Sequence, residues 1–306
     1  MDTIKDFRRN TPPMTAEAES AARARLLKAV RGVETRPRRR RLGWRLAVAG
    51  VLAVTVGTGV VVLRGQPAMT PVASVRELGE RAARAAEDTP GFVASPGQWL
   101  YIKERQAPYN TIGADLSKRT TFEQWTSVDG KQVAWEEGGK LLIQGTHPGI
   151  SAADLAKPPV TSEGVLGKIR AVLEGRHFVP TDGPMPPMDE QLFQAVYQLM
   201  GEQALSSDVR AALFRGLHTI PGVTVTQDVE DADGRRGVAF SYTGDWTRYD
   251  LILDPGDYRF LGTYGVTVKD KTMTYTSAPS VFVKAGTPLT LTAQLETKLV
   301  DKPGQR

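Results

Sequence analysis

From Leu46 to Leu63 the chain runs eighteen residues without a charged side chain, Leu-Ala-Val-Ala-Gly-Val-Leu-Ala-Val-Thr-Val-Gly-Thr-Gly-Val-Val-Val-Leu. At about 1.5 Å per helical residue this is roughly 27 Å, close to a hydrocarbon core of about 30 Å. Valine and glycine are poor helix formers in water. In lipid, however, an unpaired backbone group has no solvent to turn to, and a single span has only the helix open to it. The segment therefore predicts a transmembrane helix over residues 46–63. Arg36, Arg38, Arg39, Arg40, Arg41 and Arg45 crowd its N-terminal side, with Trp44 at the interface, whereas Arg64 alone follows before Arg76. The excess of positive charge places the N-terminus in the cytoplasm and the C-terminal region outside the cell membrane, with the arginines against anionic headgroups. Two other readings use the same residues: a cleavable leader ending near Pro67-Ala68, and a twin-arginine address in Arg40-Arg41-Leu42. A 45-residue stretch before the apolar run is long for a leader, which favours a retained signal anchor.

The charge distribution follows this division. The 306 residues carry a formal charge of +5, and the sequence pI is near 9.4. That basicity would ordinarily suggest nucleic acid as a partner. Residues 1–45, however, hold 13 basic and 5 acidic side chains, a net of +8, and the remaining 26 basic and 29 acidic side chains net −3. The basicity belongs to the inner boundary of the span, and no nucleic-acid partner is expected. Within the tail, residues 15–31 are alanine-rich, acidic at the start and basic at the end, as the helix dipole prefers. They predict a short helix able to meet a cytoplasmic partner. Ala49, Ala53 and Gly57 repeat at every fourth position, a spacing that suits weak homodimerisation through the span.

Residues 64–71 read as a linker, residues 72–300 as an extracytoplasmic domain, and residues 301–306 after it as a C-terminus expected to fray. Ser74-Val-Arg-Glu77 has the spacing of a capping box and predicts a helix over 74–87. Three stretches rich in aromatic and β-branched residues then predict strands: Gln98–Arg105, Thr121–Val128 and Gln132–Glu136. Asp129-Gly130 forms a hairpin turn between the last two, and Lys140–Gln144 adds a fourth strand. Apolar residues at helical spacing follow, Val165/Ile169/Val172/Leu173, Leu192/Val196/Leu199/Met200 and Val209/Leu213/Leu217, with Ser151 capping a short turn before them. Strands return at Val223–Val229, Val238–Tyr242, Arg248–Asp254 and Phe260–Val268, then around Met273 and Tyr275, and within Ser280–Leu295. Strands, helices, then strands with hairpin links predict an α+β domain, a curved antiparallel sheet packed on a layer of helices. About 230 residues bury enough apolar surface to stand without disulfides, and the chain has no cysteine.

Motifs for chemistry are sparse. His147, His177 and His218 have no metal-ligand spacing, and there is no HExxH, GxSxG, Walker or GxGxxG run. No metal, no cofactor and no enzymatic activity are expected. Asp228, Glu230, Asp231 and Asp233 before Gly234 form the densest acidic cluster. Set on the EF-hand pattern, Val229 and Phe240 fall at ligand positions, so a hairpin turn is the better account. Glu136-Glu137 points its two carboxylates to opposite faces of a strand. Trp99, Tyr101, Trp125 and Trp135 on neighbouring strands are the candidate ligand-binding residues, an aromatic lining for a lipid, glycan or peptide.

The stretch Ala211–Phe240, followed by Leu251-Ile-Leu-Asp-Pro255 and Phe260-Leu-Gly262, resembles a family of uncharacterised actinobacterial single-pass membrane proteins, as do Ala21-Ala-Arg-Ala-Arg-Leu-Leu27, the arginine run and the span. Members are often encoded beside extracytoplasmic-function sigma factors, which implies a part in envelope signalling. More weakly, the outer domain is similar to the half-barrel of lipoprotein carriers and of the periplasmic regulator of the sigma-E anti-sigma factor. The resemblance implies a membrane-anchored binding or sensor protein that meets an envelope ligand or protein partner. The alternative is a lipid or lipoprotein carrier that uses an apolar hollow between sheet and helices.

Overall fold

The structure, a computed structural model, describes residues 74–109, 112–145, 150–175, 185–274 and 280–306. The span over 46–63, the tail helix over 15–31, the linker over 64–71, His147 and His177 lie outside the described residues. Among the described residues no helix is long and apolar enough to cross a membrane.

Helix α1 (Val75–Asp88) opens on Ser74, whose Oγ accepts from the Glu77 backbone N–H at 3.1 Å. A four-stranded meander follows: β1 (Trp99–Gln106), β2 (Thr120–Ser127), β3 (Gln132–Glu137) and β4 (Lys140–Gly145). The chain then forms the short α2 (Ala152–Leu155), α3 (Ser162–Glu174), α4 (Met188–Glu202) and α5 (Ser207–Gly216). A second meander, β5 (Val223–Glu230), β6 (Arg236–Thr243), β7 (Thr247–Leu253) and β8 (Phe260–Thr267), leads into the small hairpin β9 (Lys271–Met273) and β10 (Val281–Val283). The last strand, β11 (Pro288–Val300), is 13 residues long.

Among the described residues nine of these strands form one antiparallel sheet, in the order β4-β3-β2-β1-β11-β8-β7-β6-β5, and β9 and β10 pair with each other apart from it. With the helices packed on it, this is an α+β fold. The final strand is the hinge of the architecture, because it lies between the two meanders. Pro288 to Leu291 pair with Val266 to Tyr264 of β8, and Thr292 to Val300 pair with β1. The sequence reading expects one strand within 280–295; the chain instead makes β10 and a β11 that runs on to Val300.

The helices pack over the β5–β8 half. Their apolar stripes meet Val238, Phe240, Tyr242, Leu251 and Leu253, the residues that alternation brings to one face of β6 and β7. Helix α1 lies against α5 through small side chains, with Ala82 and Ala83 fully buried. A Cβ added at Gly79 would stand 2.7 Å from the Phe214 carbonyl oxygen, so this glycine lets two helix backbones approach. Arg215 on α5 clasps the same pair, with Nη1 and Nη2 on the Glu87 carboxylate at 2.5 and 3.0 Å.

One expectation fails outright at the C-terminus. Residues 301–306 do not fray: they fold back across β1–β3, where Arg306 reaches Glu123 at 2.6 Å and Glu136 at 2.8 Å. Charge pairing across strands and the aromatic surface beneath hold a segment that its polar composition marks as loose.

Candidate functional site

Alternation and hairpin register decide where the four candidate aromatics stand. Trp99 and Tyr101 are two apart on β1, and Tyr101 lies opposite Trp125. These three share one face with Ala134 and Val300. Trp125 pairs with Ala134, which puts Trp135 opposite Gln124 and on the other face of the sheet. The quartet is therefore a trio plus an outlier.

The trio is packed as an interior. Trp99, Tyr101 and Trp125 are 8%, 1% and 0% exposed. The Tyr101 and Trp125 rings lie 5.5 Å apart, and the Tyr101 hydroxyl donates to Glu123 Oε1 at 3.1 Å. Burial, with the Glu123 carboxylate beside it, pushes the Tyr101 phenol up to about 12. The C-terminal residues occupy the face that would be a groove: Trp125 Nε1 donates to the Gln305 carbonyl at 2.7 Å, and the Arg306 guanidinium sits over the indole at 5.6 Å.

The hollow is elsewhere, on the helix side, and its origin is a parting of strands. Asp231, in the turn between β5 and β6, is 1% exposed. Its Oδ1 accepts from the backbone N–H groups of Asp233 and Arg235 at 2.9 and 3.0 Å, and its Oδ2 accepts from Arg235 Nε at 2.7 Å. The pinned guanidinium then donates from Nη2 to the carbonyls of both Leu261 on β8 and Gln294 on β11, each at 3.0 Å. One side chain thus stands where a ladder hydrogen bond would join the two strands, and β8 leaves β11 there. Beyond this point β11 pairs with β1 alone.

Under the helices this parting opens a cleft of about 470 Å³. Gln294 to Thr297 form one wall, the β7–β8 turn from Asp257 to Phe260 another, and the ends of α1, α4 and α5 the roof. Leu100, Phe92, Met200, Leu205, Phe214 and Phe260 supply its apolar surface.

Polar residues share the lining, among them Gln203, Arg210, Asp257, Tyr258 and Arg259. Arg210, in the first turn of α5, donates from Nη2 to the Thr89 carbonyl at 3.2 Å, at the carboxyl end of α1 where the helix dipole favours a cation. Its Nε is buried without a partner, as is Oε1 of Gln203, which also lines the cleft. Burial lowers the Arg210 pKa, the effect of taking a cation out of water. Tyr258, at the mouth, accepts from Arg81 at 3.1 Å. Outside the cleft lining, Glu104 extends the inward row of Leu100 and Ile102 on β1. Burial, and then the negative charge of Glu202 at the end of α4, push its carboxyl up to about 7.

The remaining candidates are held in structural pairs. Asp228 accepts from Arg236 at 2.5 Å, and Asp233 pairs with Arg105. Among the described residues no three His, Asp or Glu side chains gather as a metal site. Nδ1–H of His218 donates to the Arg215 carbonyl at 2.5 Å. On the outer face Asp250 is fully buried, with Oδ2 on Arg248 at 3.1 Å and Oδ1 unpartnered.

None of the cleft residues is among the four aromatics. Arg210 and Phe214 are four apart and share a helix stripe. A charged residue in step with an apolar face was the signal available. In comparisons with protein-family models, curated proteins and solved structures, nothing matches this chain.

Proposed function

We propose that this chain is a non-enzymatic binding or sensor protein anchored in the cell membrane, with its described domain outside and the cleft beneath α1, α4 and α5 as its ligand site. One observation carries the reading. The parting of β8 from β11 at Arg235 leaves a hollow of about 470 Å³ between sheet and helices, within the size range of about 300–1,000 Å³ of small-molecule sites. The buried side-chain atoms left without a partner among its described lining residues belong to a guanidinium and an amide, groups that bind and orient rather than exchange protons or attack. The uncharged run over 46–63 supports the anchor, and Arg38 to Arg41 with Trp44 and Arg45 support a cytoplasmic N-terminus. Residues 1–45 would pass occupancy of the outer domain to a cytoplasmic partner in envelope-stress or sigma-factor signalling, with weak pairing of spans assisting.

The apolar share of the cleft favours one further reading, a carrier or scaffold for lipid or lipoprotein. Native mass spectrometry of the full chain extracted from membranes separates the two. A co-purified acyl species that exchanges into acceptor vesicles supports the carrier; one retained without exchange supports the sensor. Topology has its own test, because the chain has no cysteine. In intact cells a membrane-impermeant maleimide is expected to label Lys140→Cys and to leave Ser20→Cys unlabelled. The opposite pattern overturns the orientation.

A further inference from the structure

The three arginines that line the cleft differ in one respect. Arg235 is neutralised by Asp231 at 2.7 Å, and Arg259 has Asp254 and Asp257, each at 3.6 Å. Arg210 has no carboxylate within ion-pair distance among the described residues, and its Nε–H is buried and unpaired. Carbonyl oxygens at the end of α1 satisfy part of the guanidinium but bring no full negative charge. A buried donor left without a partner forfeits its hydration, and more so when it is charged. Gln203 adds a second unsatisfied group to the same cleft, and turning its amide over presents an N–H in place of the oxygen. The opposite requirement comes from Phe92 and Phe260, half-buried rings that line the cleft beside the buried Leu100, Leu205 and Phe214 and leave apolar surface open to it.

We infer that the cleft takes an amphiphile with an anionic head, a carboxylate or a phosphate, seated on Arg210, and an apolar body against Phe92 and Phe260. This rests on the reading of the cleft as the binding site. A guanidinium meeting a carboxylate or phosphate forms charge-assisted hydrogen bonds, the strongest the cleft can offer. A neutral amphiphile of the same shape leaves Arg210 as it is in the free protein.

The test uses the full chain in nanodiscs of zwitterionic phospholipid, with the signal of empty nanodiscs subtracted. Three fluorescent probes are titrated: a labelled fatty acid, its methyl ester and a short-chain phosphatidic acid. At least one anionic probe is expected to bind saturably, one per chain, and about tenfold or more tighter than the ester. Which anionic probe binds tighter identifies the head. Arg210→Met is expected to reduce that probe to the level of the ester, while Arg210→Lys, which keeps the cation, retains the preference. Equal binding of acid and ester by the unaltered chain, a comparison that needs no variant to fold, overturns the assignment of the head and leaves the cleft as a site. Ala85→Trp, which projects an indole into the cleft, is expected to abolish binding of every probe. Binding that survives it, or no binding above empty nanodiscs, overturns the cleft reading itself.

Discussion

Trp125 and Gln305 are 180 residues apart in the chain, and the indole N–H of the first donates to the backbone carbonyl of the second at 2.7 Å. This bond, with Arg306 on Glu123 and Glu136, closes the outer face of β1–β3. A surface that would invite a ligand is thereby part of the folded core.

Deleting Asp301–Arg306 is expected to expose Trp125, with a red-shifted tryptophan emission and readier quenching by acrylamide. Trp125→Phe keeps most of the packing and strands one carbonyl, at a cost of about 1 kcal/mol. Arg306→Ala loses surface ion pairs and should cost less than about 1 kcal/mol. Equal quenching before and after the deletion would refute the closed face.

Gly79 and Gly167 make a matched pair of helix glycines with opposite outcomes. A methyl group at Gly79 meets the Phe214 carbonyl at 2.7 Å, whereas nothing lies within 4 Å of a methyl group at Gly167. Gly79→Ala is expected to destabilise by about 1–3 kcal/mol through forced separation of α1 and α5. Gly167→Ala is expected to stabilise by about 0.5–1 kcal/mol, since it removes only the entropy that glycine carries into a helix. Urea denaturation of the two variants measures both signs.

Glu104 gives stability a pH dependence of defined sign. Its folded pKa is raised to about 7, against about 4.3 for an unperturbed glutamate. Between these values the native state holds a proton that the unfolded chain has lost, so stability falls as pH rises through the window and levels above it. Glu104→Gln should be more stable than the parent at pH 8, by on the order of 2 kcal/mol, and gain nothing at pH 4. Thermal melts across that range with an unchanged slope would exclude Glu104 as the source.

The two edges of the sheet are protected unequally. On β5 a register shift after Thr226, with Asp228 at a φ of 60° and Glu230 beyond it, breaks the ladder with charge and a bulge. On β4 every residue is exposed, with Leu141, Leu142 and Ile143 at 39%, 36% and 52% and Lys140 as the one charge. Strand pairing at this edge is expected to make the chain self-associate with rising concentration. Light scattering should show Ile143→Lys to be less associated, and Thr224→Lys on β5 unchanged.

Much of the fold was legible locally. Ser74 caps α1 as its spacing implied, Asp129-Gly130 lies in the turn between β2 and β3, and the amphipathic stripes of α3, α4 and α5 fall where the apolar spacing put them. Trp135 was misplaced although the information was present. A turn at Asp129-Gly130 sets Trp125 opposite Ala134, and from that register Trp135 must point the other way. The candidate site was less legible. Arg210 was visible as a charge in step with an apolar face, but nothing near it in sequence indicates that a strand pair opens beside it.

By itself the sequence determined what short-range forces settle: the uncharged run and its basic flank, the order of strands and helices, and the face each presents. Tertiary structure decided the rest. It placed β11 between two meanders, seated Arg235 between Leu261 and Gln294, opened the cleft under α5 and folded Gln305 onto Trp125. The physical reason is the separation of partners. Periodicity and turn chemistry act over a few residues, whereas each of these contacts joins segments tens to hundreds of residues apart, and the gain from pairing them exists only once the sheet has assembled.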